Sequence, residues 1–363
     1  MPNETNFQNM LLVKNKKRTL LERFNLSSSY VMAMLFLYFL FIGCQSNMEY
    51  DKPYHYNVVK DKIWAAPGAD TLTMDIYKPL TGKDNYPVLV VYHGGGWMIN
   101  TKEVMDSLSM YIVRNSEFIV CNVNYRLLGH RNNTVKLNEI VEDAIGAFIW
   151  IKYNIEKYGG DPDNIAVTGD SAGAHLAMMV TLAQDRLGVD GFSNGSFNFN
   201  PTYVPENVSY NDIMSSESWV SAALLSYGVF DMVHKAKKGW ENDLEDRGFF
   251  GSDRNINSDE EFYKAVSPAY LIPDKSASTL PPLLFTVGSK DKVTTPESIE
   301  DFLKILDEKD QSYEYWTHEG RPHAYLDGHM NDFSGIVTEF HKDATQAIDV
   351  MIAFMDRVMI NGD

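Results

Sequence analysis

Cysteine is nearly absent from this chain. Cys44 and Cys121 are the only two in 363 residues, which excludes a disulfide framework. Basic charge is also scarce: 32 Lys and Arg stand against 49 Asp and Glu, for a formal net charge of −17. Phosphate binding needs a basic surface, so nucleic acid is excluded as a partner. No H-E-x-x-H motif and no clustered Cys/His set occurs, so neither a metal nor a cofactor is expected. Internal repeats and low-complexity segments are missing as well. What remains is ordinary globular composition, 44% hydrophobic and 22% charged, in a chain long enough to bury the core of one large α/β domain.

Long apolar runs are lacking too. The run from Tyr30 to Gly43, "YVMAMLFLYFLFIG", has 14 residues, short of the ~20 that span a bilayer as a helix. Lys14, Lys16, Lys17, Arg18 and Arg23 precede it, the layout of a secretory signal. "FIGCQS" resembles the lipobox of bacterial lipoproteins, with Cys44 as the lipidated residue; Phe41 stands where Leu is usual. The expected organisation is a lipoprotein-type signal over residues 1–44 and a catalytic domain over 45–363, exported and lipid-anchored to a bacterial membrane. Cleavage near Ser46, giving a periplasmic or secreted protein, and an uncleaved anchor are the alternatives. Cys121 lies in the strand-like "EFIVCNVNYRL" and reads as a buried small hydrophobe.

Beyond a polar linker, "YNVVKDKIWAAPGADTLTMDIYKP" reads as two antiparallel strands around the Pro67-Gly68 turn. The pattern then changes to unalternating apolar runs: "YPVLVVYH", "FIVCNVNY", "NIAVTGDS", "VSAALLSYGV" and "PLLFTVGS". Such runs suit strands covered on both faces, the mark of a parallel sheet. Between them lie amphipathic segments; in one, Ile140, Ala144, Phe148, Ile151 and Ile155 share a stripe. Strands alternating with helices predict a doubly wound α/β fold, mostly parallel, with helices on both faces. Two stretches interrupt it, about 187–217 and 229–280. The second holds Trp240, Phe249, Phe250, Tyr263 and Tyr270 and reads as an ordered cap.

In "NIAVTGDSAGAHLAM" a strand passes through Gly169-Asp170-Ser171-Ala172-Gly173 into a helix. Small residues on either side of Ser171 permit the strained turn that lifts a nucleophilic hydroxyl above a sheet. "VVYHGGGW" places three glycines after a buried strand, where bare N–H groups reach a ligand oxygen. Gly94 and Gly95, with Ala172 at the helix start, are the expected oxyanion donors. A serine needs a base, and the base an orienting acid. Asp291 in "TVGSKDKV" follows an apolar strand, and His323 in "RPHAYLDGH" lies in the loop after the next one. His318 is read as still in that strand, and His329 as further along the loop. Asp231 ends its strand one too early for the acid, which leaves substrate contact or loop capping. His93 is read as a brace for the glycine loop, and His175 as a packing residue. Trp97 is a possible wall of the substrate pocket.

HGGGW, GDSAG, the "GGDPDNI" approach, GSKD and PHAY together resemble the esterase/lipase branch of the α/β-hydrolases over roughly residues 55–360. "VNYRL" at 123–127 is similar to the segment after that branch's fourth strand. Members like hormone-sensitive lipase carry an N-terminal helical cap that this chain lacks before its first strand. The chain is therefore more similar to capless carboxylesterases, including bacterial feruloyl and acetyl-xylan esterases, and to arylformamidases. Arylformamidases typically have a bulky residue at the position of Gly96, which favours esters. The resemblance implies a serine ester hydrolase acting on a small-molecule or oligosaccharide ester through an acyl-enzyme. An arylformamidase-type or lipase-type hydrolase on the same triad, and a catalytically silent binding protein, are the alternatives.

Overall fold

A computed structural model of the chain describes residues 53–362, apart from 193–195, 218, 239–255 and 328–338. The Tyr30–Gly43 run, Cys44, Trp240, Phe249, Phe250 and His329 lie outside the described residues. Among the described residues no helix is long and apolar enough to cross a membrane.

Among the described residues eight strands form one sheet, in the order β1-β2-β4-β3-β5-β6-β7-β8. β1 (Tyr56–Ala65) and β2 (Leu72–Pro79) make the expected antiparallel pair, and β2 runs antiparallel to β4. The remaining pairs are parallel: β3 (Tyr86–Tyr92), β4 (Ile119–Val123), β5 (Gly160–Asp170), β6 (Ala222–Ser226), β7 (Leu283–Gly288) and β8 (Glu314–His318). Every residue of β3, β4, β6 and β7 is buried, which is why their sequences show no alternation. Cys121 sits in β4 as a buried free thiol.

From β3 the chain crosses to β4 through α1 (Asp106–Asn115), then returns past β3 to β5 through α2 (Leu137–Asn154). Right-handed crossovers in opposite directions put their helices on opposite faces of the sheet. The reversal at β3 is a topological switch point, and ligands in such sheets bind beyond the carboxyl ends of the strands there. α3 (Ala172–Leu182) continues on the side of α2, and α7 (Thr345–Met355) packs with α1. Between them come α4 (Met232–Lys237), α5 (Glu260–Ala265) and α6 (Pro296–Glu308).

The described residues of both interruptions lie outside the sheet. The one at 187–217 folds onto α2, where the Thr202 N–H donates to the Glu142 carbonyl at 3.2 Å. That cover buries the face of α2 opposite the expected stripe, so nearly the whole helix is interior. Phe192 of the first interruption meets Phe262 of the second at a ring separation of 5.6 Å. Tyr263 is fully buried, whereas Tyr270 is exposed.

Candidate active site

The turn after β5 is strained. Ser171 adopts φ 50°, ψ −115°, a region that side chains enter only when the surroundings hold them there. Close packing does so here. A Cβ on Gly169 would lie 2.3 Å from the backbone carbon of Gly173, and one on Gly173 would lie 1.9 Å from the Tyr92 carbonyl oxygen. Only glycine lets β5, the turn and the end of β3 approach so closely. The Ser171 N–H donates to the Ser226 carbonyl of β6 at 2.9 Å, which ties the turn to the next strand.

Three loops at the strand ends bring the expected residues together. Ser171 Oγ lies 3.0 Å from His323 Nε2, and His323 Nδ1 lies 2.7 Å from Asp291 Oδ2. Asp291 Oδ1 accepts the N–H groups of Val293 at 2.8 Å and Thr294 at 2.9 Å. Its other oxygen faces the imidazole. With a carboxylate at Nδ1, that nitrogen carries the hydrogen, and Nε2 accepts from the serine hydroxyl. His318 ends β8 and turns its Nε2 to the Asp343 carbonyl at 2.8 Å, away from the serine. Asp231 caps α4 by accepting the His234 N–H at 2.8 Å.

Two residues of this site carried no sequence signal. Thr294 Oγ1 sits 2.8 Å from the Tyr227 carbonyl, 3.1 Å from Asp291 Oδ2 and 3.2 Å from His323 Nδ1. Tyr227, held at φ 39°, sets its ring edge-on to His323 with 4.8 Å between centroids. A threonine three residues after the acid and a tyrosine after β6 are unremarkable letters until the loops are folded together.

Gly94 is backed against the Asp170 carboxylate: a Cβ there would lie 2.3 Å from Oδ2. Gly95 and Gly96, at φ 117° and 59°, donate to no protein acceptor among the described residues. Trp97 is fully buried. Its Nε1–H donates to His175 Nδ1 at 3.2 Å, and the rings meet edge to face at 5.2 Å. His175 completes this chain with Nε2 on the Val266 carbonyl at 2.8 Å. His93 braces the run as expected: its Nδ1 donates to the Gly94 carbonyl at 2.7 Å and its ring stacks on Tyr125 at 4.3 Å. Burial pushes both His93 and His175 down to about 4, so both stay neutral.

Arg126 of "VNYRL" is also accounted for. Its guanidinium forks onto Asp143 of α2, with Nε at 2.7 Å and Nη2 at 2.7 Å, and reaches Glu139 at 2.9 Å. This buried, bidentate pair fastens the loop after β4 to α2.

A strained serine after the fifth strand, with the acid and imidazole on later strand ends, defines an α/β-hydrolase. Residues 74–306 match the BD-FAE family over well over half of the chain, and the protein belongs to that family. Among curated relatives, carboxylesterase NlhH of Mycobacterium tuberculosis is 33% identical over 128 residues, 35% of this chain and 39% of that protein. Esterase LipQ of the same species is 28% identical over 66% of this chain and 51% of its own length. A probable isoprenylcysteine alpha-carbonyl methylesterase of Arabidopsis thaliana, ICMEL2, is 25% identical over 76% of this chain and 61% of its own. The chain thus spans between two fifths and about three fifths of these relatives. Esterase 2 of Thermogutta terrifontis shares the fold, with a TM-score of 0.60 at 21% identity over 86% of this chain and 97% of that one.

Proposed function

We propose that the protein hydrolyses carboxylic esters through a serine-bound acyl-enzyme. The observation that carries the reading is the unbroken relay Ser171–His323–Asp291 at a strained turn. As Ser171 Oγ attacks the ester carbonyl carbon, its proton passes to His323 Nε2, while Asp291 holds Nδ1–H and steadies the imidazolium. The oxygen that becomes negative meets the N–H groups of Gly95, Gly96 and Ala172. Gly96 takes the place expected of Gly94, because Gly94 is packed against the Asp170 carboxylate. Each such donor is worth ~3 kcal/mol of barrier. His323 returns its proton to the leaving alkoxide, and a water molecule, deprotonated by the same imidazole, frees the acid.

The family name denotes bifunctional feruloyl and acetyl xylan esterases, and feruloylated or acetylated carbohydrate esters are the substrates proposed here. Hydrolysis of p-nitrophenyl acetate that disappears in Ser171→Ala tests the reaction. A panel of methyl ferulate, acetylated xylan fragments, short-chain lipid esters and N-formylkynurenine tests the substrate. A wild-type protein inert on all of them is a binding protein, and preference for the formamide overturns the ester reading.

For location, the basic flank, short apolar run and Cys44 support export with lipid attachment at that cysteine. Each buried methylene of the attached chains adds ~0.8 kcal/mol of membrane affinity. Membrane fractionation and intact-mass analysis of wild type and Cys44→Ser test this. A soluble, unlipidated wild-type product removes the anchor and leaves the chemistry untouched.

A further inference from the structure

Asp291 is held at both of its carboxylate oxygens by one residue three places further on. The Thr294 N–H donates to Oδ1 at 2.9 Å, and the Thr294 hydroxyl lies 3.1 Å from Oδ2. The same hydroxyl oxygen is 2.8 Å from the Tyr227 carbonyl and 3.2 Å from His323 Nδ1. Thr294 is only 1% exposed, so it makes these contacts out of reach of solvent. One hydroxyl thus meets the acid, the base and the loop after β6.

A hydroxyl has one hydrogen to give and two lone pairs to offer. While the imidazole is neutral, the hydrogen can serve either the Asp291 carboxylate or the Tyr227 carbonyl. With the hydrogen on Tyr227, the lone pairs of Oγ1 turn toward the ring. The Nδ1–H group then lies between Asp291 Oδ2 at 2.7 Å and Thr294 Oγ1 at 3.2 Å. That second acceptor counts most when the ring is an imidazolium, because a charged donor makes the stronger hydrogen bond.

Tyr227 carries the contact onward. Its N–H donates to the Thr286 carbonyl of β7 at 2.6 Å, and its phenol oxygen accepts the Leu326 N–H of the histidine turn at 3.2 Å. Its ring stands edge-on to His323, with 4.8 Å between centroids. The residue is fully buried at φ 39°, a conformation that its surroundings must impose. The Thr294 hydroxyl on its carbonyl is one of those constraints, and it joins the acid's loop to the histidine turn.

We propose that Thr294 is a positioning residue for acyl transfer: its hydroxyl fastens the Asp291 loop to Tyr227 and gives the His323 imidazolium a second acceptor. The proposal rests on the esterase reading of the site. Thr294 meets the ring at Nδ1, whereas Ser171 meets it at Nε2, so the hydroxyl acts through the imidazole. Its loss therefore lowers kcat and leaves KM.

The test compares Thr294→Val, which keeps the shape and loses the hydroxyl, with Thr294→Ser, which keeps the hydroxyl. On p-nitrophenyl acetate the Val variant is expected to lose about 30-fold in kcat, with KM within about twofold. The Ser variant is expected to stay within about threefold of wild type in kcat. Thermal melting shows whether each is folded at assay temperature. Should Val not be, Thr294→Ala against Thr294→Ser isolates the hydroxyl, since both lack the methyl group. A Val or Ala variant as active as the Ser one overturns the proposal.

The hydrogen on Nδ1 supplies a readout independent of turnover. Proton NMR of protein with isotopically labelled histidine shows it far downfield, and its loss in His323→Ala assigns it. The signal should move in Thr294→Val and return in Thr294→Ser. An unmoved signal in a slower Val variant reduces Thr294 to packing and overturns the proposal. The expected shifts in a wild type inert on every ester instead overturn the esterase reading, and with it the acyl-transfer role.

Discussion

Two imidazoles, His323 at the strand ends and His175 one turn into α3, each have both ring nitrogens engaged, yet they are built for opposite purposes. His175 lies between the indole N–H of Trp97 and the carbonyl of Val266, two partners that never ionise. Its own burial pushes it down to about 4, so it is a neutral strut beneath the glycine run. His323 lies between the Asp291 carboxylate and the Ser171 hydroxyl. One partner welcomes a positive charge on the ring, and the other has a proton to give. The number of hydrogen bonds is the same; the chemistry of the partners separates a base from a brace.

Breaking the relay should give the largest effect. Ser171→Ala or His323→Ala is expected to cut kcat by about 10⁴-fold or more, with Asp291→Asn close behind because the wrong tautomer is then favoured. Melting temperatures should stay within a few degrees of wild type. A His323→Ala protein that retains activity would transfer the role of base to another residue. At the turn itself, Gly173→Ala forces a Cβ against the Tyr92 carbonyl, a backbone atom that cannot step aside. A loss of about 3 kcal/mol or more in stability is expected, read from urea unfolding, and a variant of wild-type stability would show that the contact is looser than described.

The brace should fail differently. His175→Ala strands the Trp97 N–H and the Val266 carbonyl in the interior, for an expected loss of about 2–4 kcal/mol. Where the variant is folded, kcat should fall by less than about tenfold, since the ring touches no reacting atom. The pH dependence follows from the direction of the shift. Native His175 binds its proton only near 4, while the unfolded chain binds it near 6.5. The contribution of this group is therefore full above about 6.5 and is lost as pH falls toward 4. The variant should show a flatter stability–pH curve across that window, only partly so because His93 acts with the same sign. An unchanged slope would refute the neutral-strut description.

What was legible in the sequence divides along the same line. The strands and the order serine, acid, base could be read because they depend on local pattern and chain order. "RPHAY" after β8 and "SKD" after β7 needed no distances to be paired. The packing of Gly94 could not be read, because nothing in "HGGGW" says which glycine lies against a carboxylate 76 positions away, at Asp170. The burial of Trp97 was hidden for a similar reason: its partner His175 lies on another element. The burial of α2 on both sides was hidden in a polar stretch, 187–217, whose backbone N–H groups fold onto the helix. Long-range polar contacts leave no periodicity, and periodicity is what a single sequence displays.

The smallest effect concerns the carboxylates of α2, which set Glu142 against the relay acid Asp291. Asp291 accepts two backbone N–H groups on one oxygen and a ring N–H on the other. Glu142 accepts the Asn200 N–H at 3.2 Å but lies beside Glu139 and Asp143, and burial pushes its carboxyl up to about 7. An acid raised this way binds its proton in the native fold after the unfolded chain, near 4.5, has released it. Stability is then fullest at low pH for this group and declines as pH rises from about 4.5 to about 7. Glu142→Gln keeps the acceptor for Asn200 and removes the charge. It should melt higher than wild type above neutral pH, by about 1 kcal/mol of stability after local relaxation, and show no gain near pH 4. Limited proteolysis within 187–217 should quicken above neutral pH in the wild type and stay slow in the variant. Superimposable melting curves at all pH values would mean that Glu142 is already relieved of its charge by means other than burial, and the tether of this segment to α2 would then be independent of pH.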